Sequence, residues 1–591
     1  MAKKEEGEQI RVAVIDFRKC SSEKCNWLCV RFCPVNRLDK ECILKGEDLK
    51  PRISEKLCTA CKICVHKCPF KAISIVNLSP KLGKAVHSYG QNSFRLYGLP
   101  IPSKGSVVGL IGRNGIGKTT ALKILSGKLV PSIGEGKGYR AAIDFFKGSE
   151  LQAYFESIEQ GTLKSAFKPQ DINSIPQAFK GSVKELLKKM DETGGFKGIA
   201  KELELEKILD SEIQSISGGE LQRVAIAAAM LKDADFYFFD EPSSYLDARE
   251  RLRISKTIRS LAEKGKYVLV VEHDLAVLDY LSDYIHVIFG EKGVFGVISG
   301  RMSVRNGINQ YLDGYLKSEN IRFRDKEIKF HVSAPLESKE KALLLEFPSF
   351  SKKFKQFHLE AEGGYMHKGE VLGVLGPNAI GKTTFVKILA GVLEPDKGKV
   401  DMGLTVAYKP QYLKPEKGMN VREFFDSQKL DRLLFESEAM QRFSLMDLMD
   451  RQLDELSGGE LQKVAISAAM CRDAALALLD EPSAFLDVEE RLNAADFIRS
   501  VASKKENACL VVDHDILFQD YLSDRLLVFE GIPAVSGKAS QPLPMKEGMN
   551  KFLASLGITY RRDPETGRPR ANKHGSAKDE EQKKENKYYY G

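Results

Sequence analysis

Tryptophan is almost missing from this chain, and the single one, Trp27, lies between two cysteines, where it can report on them alone. Long hydrophobic runs are missing too. No charge-free apolar stretch reaches the roughly 18 residues of a bilayer span, which excludes the membrane half of a transporter. The opening "MAKKEEGEQIRVAVID" has no apolar h-region, so no secretory leader is expected and a cytoplasmic location is. Structural disulfides are disfavoured there. Neither sign of charge dominates: 90 Lys plus Arg face 81 Asp plus Glu, a net +9. That balance allows a polyanionic partner without requiring one, since solvated lysines give the same sum. Cysteine is scarce over most of the chain. Nine of eleven fall before Val76, which marks an N-terminal domain over 1–77.

Two cysteine runs fill that domain. Cys58, Cys61, Cys64 and Cys68, followed by Pro69, have the bacterial ferredoxin spacing. Cys20, Cys25, Cys29 and Cys33, followed by Pro34, are more loosely spaced but share the Cys-Pro ending. In two-cluster ferredoxins the fourth cysteine ligates the other cluster. Cys58, Cys61, Cys64 and Cys33 are then expected to hold one 4Fe-4S cluster, and Cys20, Cys25, Cys29 and Cys68 the second. Zinc is the alternative for four close thiolates. Cys42, Cys471 and Cys509 lack such spacing and are expected to be buried as small hydrophobes.

Beyond residue 77 the chain repeats itself. "SISGGELQRVAIAAAML" returns as "ELSGGELQKVAISAAMC", and "FFDEPSSYLD" as "LLDEPSAFLD". Lys118 and Lys382 are 264 apart but Gln170 and Gln411 only 241, so the first copy holds 23 extra residues between them. The organisation expected is a first unit over 78–303 with a helix-loop-helix insertion at about 148–170, a hinge over 304–335, a second unit over 336–544, and a second hinge with tail over 545–591. "RNGINQYL" and "KEGMNKFL" open the two hinges, each followed by a basic stretch. The tail "KDEEQKKENKYYYG" is charge-rich, and its early part is expected to be mobile.

Each copy carries a phosphate loop between a strand-like and a helix-like run. Gly112, Asn114, Gly115, Gly117, Lys118, Thr119 and Thr120 form the first; Gly376, Asn378, Gly381, Lys382, Thr383 and Thr384 form the second. Glycines let backbone N–H groups close around phosphates at a helix N-terminus. The lysines reach the β/γ-phosphates and Thr119 and Thr383 ligate Mg2+. Ala379 stands where the first copy has Gly115. Two apolar strands then end in Asp240-Glu241 and Asp480-Glu481, expected to hold Mg2+ and polarise the attacking water. His273 and His514 follow a further strand at matched spacing and suit a γ-phosphate contact. Gln170 and Gln411 can orient water and Mg2+. Tyr89 is the aromatic expected to stack on adenine in the first copy, with Phe354 a weaker candidate in the second.

The order phosphate loop, Gln, "SGGELQ", Asp-Glu, His resembles the ATP-binding-cassette superfamily. With the cysteine domain and the insertion, the whole chain resembles its ribosome-recycling members, the RNase L inhibitor family. The fold implied is α/β twin P-loop cassettes preceded by a small α+β ferredoxin-like iron–sulfur domain. The resemblance also implies head-to-tail cassettes that sandwich ATP. Site one would join the first loop, Gln170, Asp240, Glu241 and His273 to Ser457, Gly459, Glu460 and Asp487. Site two would join the second loop, Gln411, Asp480, Glu481 and His514 to Ser217, Gly219, Glu220 and Asp247. The implied activity is an ATPase that splits ribosomes by moving the iron–sulfur domain. Its partners would be the small subunit and its RNA, a release factor or Pelota-type factor, and initiation factors as a further candidate, with no membrane. The rivals are an ATP-gated electron-transfer enzyme and the detached ATPase of a membrane importer.

Two surfaces carry further expectations. Leu151, Tyr154, Phe155 and Ile158 fall on one helical face of the insertion, which either packs on its own cassette or carries a partner contact. Arg322, Arg324, Arg561 and Arg562 in the hinges are candidates for phosphate contacts on ribosomal RNA.

Overall fold

The computed structural model describes residues 10–589 apart from 135, 331–341, 401–402, 412 and 414–417. The expected first nine residues of the N-terminal domain, the junction of hinge and second cassette at 331–341, and the last two residues of the tail lie outside the described residues.

The N-terminal unit is closed by an antiparallel pair, Ile10–Ile15 with Ile73–Leu78, in which Ile10 faces Leu78. The pair runs one residue past 77. Side chains alternate across a strand, and here both faces are used. Ala13 and Ile15 join the core that contains the cysteines. Val12 and Val14 join a second core shared with both cassettes and both hinges. Two short helices, Leu28–Arg31 and Ile63–Lys67, each follow a left-handed residue, Trp27 and Lys62, which turns the cysteine loops inward. Cys42, Cys471 and Cys509 are buried.

Asn92 docks this unit on the first cassette. Its side chain donates to the carbonyls of Ala13 and Ile53, each at 3.0 Å, and accepts from Ile53 N at 2.8 Å. Its own carbonyl accepts from Ile15 N at 2.8 Å. Beside it, Glu55 accepts from Ala13 N and pairs with Arg95 at 2.8 Å.

Among the described residues, each cassette is built on a nine-stranded mixed sheet. In the first, the parallel strands Ser165–Lys168, Phe236–Asp240, Tyr267–Val271, Val107–Ile111 and Tyr284–Glu291 lie side by side in that order. In the second, Val406–Lys409, Leu476–Asp480, Ala508–Val512, Val371–Leu375 and Arg525–Ile532 repeat the order. The central strands, such as Val107–Ile111 and Val371–Leu375, are buried along their whole length because helices cover both faces. Ligands bind at the carboxyl ends of such strands; there the loops after Ile111, Asp240 and Val271 meet.

The insertion differs from its expected range. The helix pair is Tyr139–Phe145 with Glu150–Glu159, and Ser165–Lys168 is a strand of the cassette sheet. Leu151, Tyr154 and Phe155 are buried. The Phe155 ring stacks on Phe146 and Tyr139, and Tyr154 meets Phe236 at 4.9 Å. The apolar face therefore packs on its own cassette.

The hinges begin with helices Val304–Asp313 and Met545–Leu556. The tail is ordered where mobility was expected: Ser576 caps a helix Ala577–Lys584, in which Asp579 and Gln582 are buried. The second hinge reaches both cassettes. Arg568 and Arg570 pair with Asp279 of the first at 3.2 and 2.8 Å, and Arg562 grips Asp520 of the second with two nitrogens at 3.0 Å. The first hinge joins it through Arg305, 3.0 Å from both Asp563 and Glu565. Arg562 and Arg324, the latter 3.0 Å from Glu489, are thus committed to internal carboxylates and are corrected as phosphate contacts. Arg322 and Arg561 remain exposed.

Candidate functional site

The expected nucleotide residues converge at the interface between the cassettes. Gly117 and Gly381 adopt φ of 103° and 96° at the N-caps of helices Lys118–Leu125 and Lys382–Leu389. A Cβ on either would strike the ring of Phe94 at 2.6 Å or Phe357 at 2.9 Å, so loop and ring need glycine there. Lys118 Nζ donates to the carbonyls of Gly112 and Arg113 at 2.9 and 2.7 Å. Lys382 does the same with Gly376 and Pro377. Gly112 and Gly376 face the sheet instead of the cavity, packed against Ile288 and Phe529. Tyr89 and Phe94 line the cavity at the first loop, and the Tyr89 hydroxyl meets Thr120 Oγ1 at 3.1 Å. At the second loop it is Phe357 that lines the cavity, and it takes the place expected for Phe354.

The acidic strand ends are built alike in both copies. Thr119 donates to Asp240 at 2.8 Å, and Thr383 to Asp480 at 2.9 Å. Glu241 receives Gln170 Nε2 at 2.7 Å and lies 3.3 Å from His273 Nε2. Glu481 receives Gln411 at 2.8 Å and lies 3.4 Å from His514. Both glutamates sit at positive φ, 49° and 47°, a strained conformation that costs on the order of 1–3 kcal/mol. The strain is held by side chains absent from the expected set. Lys168 Nζ donates to the carbonyls of Asp240 and Glu241, and Lys409 to those of Asp480 and Glu481. Gln222 and Gln462, the last residue of each "SGGELQ", add a bond to the same glutamate carbonyls. Their signal was in the repeat, since both copies carry Lys two places before Gln and end the signature in Gln.

Electrostatics separates the paired carboxylates. Burial pushes Asp240 up to about 6, aided by the charge of Glu241. Burial alone would also raise Glu241, but His273, Lys118 and Lys168 hold it down at about 2. Lys382 is depressed to about 8 by burial. A fixed anion thus lies beside a carboxyl that titrates within reach of neutral pH.

The two loops touch the opposite cassette. Asn114 N donates to Asp487 at 3.0 Å, and Asn378 N to Asp247 at 2.7 Å. Asp247 and Asp487 each also cap a helix, accepting from Glu250 N and Glu490 N. Ser217 and Ser457 cap the signature helices through reciprocal bonds with Glu220 and Glu460. A cleft of 1420 Å³ between the cassettes is lined by Ser457, Gly459 and Glu460 opposite Gly115 and Glu241, and by Ser217, Gly219 and Glu220 opposite Lys382, Thr384 and Glu481.

The cysteines of the two runs lie within electrostatic reach of one another. The Cys29 thiol, raised to about 11 chiefly by burial, also feels Cys25, Cys20 and Cys68. Cys64, raised to about 12 by burial, feels Cys58, Cys61, Cys29 and Cys33, from both runs. Backbone N–H groups of Ala60 and Ala72 point at Cys58 and Cys68 sulfurs at 3.4 Å. Buried thiols near other sulfurs, with N–H donors aimed at them, suit thiolates held by a cluster. Among the described residues no three His, Cys, Asp or Glu side chains close on a single metal ion.

Two facing cassettes, each supplying residues to the other's phosphate loop, define a paired ATP-binding-cassette ATPase. The family models agree. The ABC transporter family matches residues 102–244 and 362–484, a possible Fer4-like domain in RNase L inhibitor, RLI, matches 10–41, and a 4Fe-4S binding domain matches 51–74. An uncharacterized ABC transporter ATP-binding protein of Methanocaldococcus jannaschii is 51% identical, covering 99% of this chain and 98% of its own. A solved structure of ribosome-bound archaeal Pelota and ABCE1 includes a chain 55% identical, with TM-score 0.94, covering 99% of this chain and 100% of that one. The archaeal ribosome recycling factor aABCE1, solved with ribosomal stalk protein aP1, is 55% identical with TM-score 0.82 over 86% of this chain and 99% of that one. The chain belongs to the RNase L inhibitor, or ABCE1, family. It is an ATPase with iron–sulfur clusters, and among the described residues no helix is long and apolar enough to cross a membrane.

Proposed function

We propose that this protein recycles ribosomes in the cytoplasm, splitting them into subunits after termination or stalling, with a Pelota-type or release factor as partner. The observation that carries this reading is the double cross-contact of Asn114 with Asp487 and Asn378 with Asp247, alongside an N-terminal domain rooted in the core that both cassettes share. Each phosphate site is complete only when the cassettes meet. ATP at the interface therefore works as an adhesive whose hydrolysis loosens it. A swing from 1:99 to 99:1 needs about 5.5 kcal/mol of differential binding, within reach of two such sites.

The site residues divide the chemistry as follows. Lys118 and Lys382, now donating to loop carbonyls, transfer those hydrogen bonds to β/γ-phosphate oxygens. Thr119 with Asp240, and Thr383 with Asp480, would hold Mg2+, which would supply charge neutralisation on the phosphates. Gln170 and Gln411 orient water; Glu241 and Glu481 polarise it. His273 and His514 give each glutamate a fixed neighbour and face the γ-phosphate. Tyr89 stacks on adenine in the first site. Ser457, Gly459, Glu460 and Asp487, with their counterparts Ser217, Gly219, Glu220 and Asp247, close each site from across the interface. Two 4Fe-4S clusters, one per crossed cysteine set, would staple the small N-terminal domain, whose core is too slight to be rigid alone.

Sedimentation of ribosomes with purified, cluster-reconstituted protein tests the reading. Subunits should separate when ATP and the factor are present, and the protein should stay on the small subunit with a non-hydrolysable analogue. Intact ribosomes under all nucleotide conditions would reject it.

A further inference from the structure

The two nucleotide sites differ at one point that none of the motifs explains. Arg113, within the first phosphate loop, points across the interface to Glu489, its Nε 3.6 Å from a carboxylate oxygen. The other oxygen of Glu489 lies 3.0 Å from Arg324 Nη1 in the first hinge. Glu489 sits in the first turn of helix Val488–Lys505, two residues after Asp487, which itself bonds the same loop. One carboxylate thus bridges a phosphate loop and a hinge.

Each end of the bridge is anchored in its own segment. Arg324 donates Nη2 to Leu312 O at 2.7 Å and Nε to Lys326 O at 3.0 Å, and its guanidinium lies over the rings of Tyr311 and Phe323. It therefore travels with the hinge. Arg113 offers its carbonyl to Lys118 Nζ at 2.7 Å while its side chain turns to Glu489. When Lys118 leaves that carbonyl for a phosphate, the residue that grips Glu489 is released at its backbone. Phosphate charge near the loop also competes with Glu489 for the Arg113 guanidinium. Among the described residues site two has no such bridge: Pro377 stands in place of Arg113 and Arg249 in place of Glu489.

We propose that Glu489 is a positioning residue that couples nucleotide occupancy of site one, and not of site two, to the first hinge, through the shared contacts with Arg113 and Arg324. This deepens the recycling reading and rests on it only for the purpose of the hinge motion.

The test uses the full-length holoprotein carrying Lys382→Ala, so that only site one binds nucleotide. Affinity for AMP-PNP is measured by equilibrium dialysis for Arg113→Gln, Arg324→Gln and the pair, each with Glu489 or with Glu489→Gln. With Glu489 present, the two effects should fail to multiply by roughly 3- to 10-fold, as contacting groups do. With Glu489→Gln they should multiply independently. In parallel, hydrogen exchange at the Phe323 amide, bonded to Gly314 O at 2.9 Å, should respond to AMP-PNP in the parent and not in Glu489→Gln. Independent effects with Glu489 present, or an equal hinge response in both proteins, would overturn the proposal. If Glu489→Gln does not fold, Glu489→Asp, one methylene shorter, should cut the coupling, and full coupling in that variant overturns the proposal as well. No ribosome enters these measurements, so their failure and a failure of ribosome splitting are told apart.

Discussion

Asn92 offers the sharpest quantitative test of how the N-terminal domain is held. Its side chain is 1% exposed and makes three bonds across the domain boundary, two to carbonyls and one from an amide. Asn92→Ala strands Ala13 O, Ile53 O and Ile53 N. A typical buried hydrogen bond contributes about 1 kcal/mol net, and stranding its partner costs about 1–3 kcal/mol. The backbone adds to this. Asn92 sits at φ 54°, a region that costs an alanine roughly 1–2 kcal/mol. Together these give about 4 kcal/mol, or near a thousandfold in the ratio of docked to undocked domain. Native-state hydrogen exchange reads it directly at Ile15 and Ile53, whose amides are bonded to Asn92. Both should exchange hundreds of times faster, while amides of the first sheet keep their protection. Asn92→Gly relieves the backbone term and should recover part of the loss. Unchanged exchange at Ile15 and Ile53 in Asn92→Ala, in protein with full cluster absorbance, would refute the reasoning.

Four further expectations follow from the same geometry. Glu241→Gln and Glu481→Gln should each bind ATP and hydrolyse it about 10²–10⁴-fold more slowly, read by single-turnover phosphate release, and unequally because Asp513 replaces Glu272 behind the second site. Gly115→Ala should weaken site one by about 1 kcal/mol, because Gly115 has φ 75° and a Cβ there meets Lys292; Ala379→Gly in the second loop should relieve the strain at φ 55°, read by thermal melting with ADP. Asp240, raised to about 6, must lose its proton before it can hold Mg2+, so Mg2+-dependent ATP affinity at site one should fall as pH drops from 7 to 5 in titration calorimetry. In nucleotide-free protein the sign reverses: its contribution to stability is full below the unfolded value near 3.9 and is lost as pH rises through 6. Cys61→Ser should lose one cluster's absorbance and ribosome splitting but keep nucleotide binding; loss of all ATP binding in folded protein would break the separation of roles.

Much of this molecule was legible because it is duplicated. The order of motifs pointed to both phosphate sites, and strand-like runs before each loop marked one strand per sheet, but not the order of the strands. What escaped was whatever depends on three dimensions. The hinge arginines read as RNA ligands from their charge, yet Arg324 and Arg562 face Glu489 and Asp520, carboxylates more than 40 residues away. Composition made the tail look mobile, but its helix is stapled by Thr559 to Asp579 and by Asn572 to Gln582, which hydropathy does not register. The insertion's apolar face was visible, while its partner was not: Phe236 lies on a strand far along the chain. The repeat marked Lys168, Lys409, Gln222 and Gln462 as paired positions, but not the strained glutamates they support, because that support is made across separate elements.

The bonds that close the second hinge also impose an order on the protein's birth. Arg568 and Arg570 neutralise Asp279, a buried carboxylate of the first cassette, and Tyr589 bonds Asp520 in the second. During synthesis, the first cassette must wait with Asp279 unpaired until nearly three hundred more residues have been made. Until then helix Leu275–Leu281, buried along its whole length in the finished protein, lacks its charge partner and the part of its cover that strand Pro569–Ala571 supplies. A nascent chain halted between the cassettes therefore carries a first half whose Asp279 is still without its arginines. Arg568 and Arg570 thus act as a seal, closing the first half with residues made long after it.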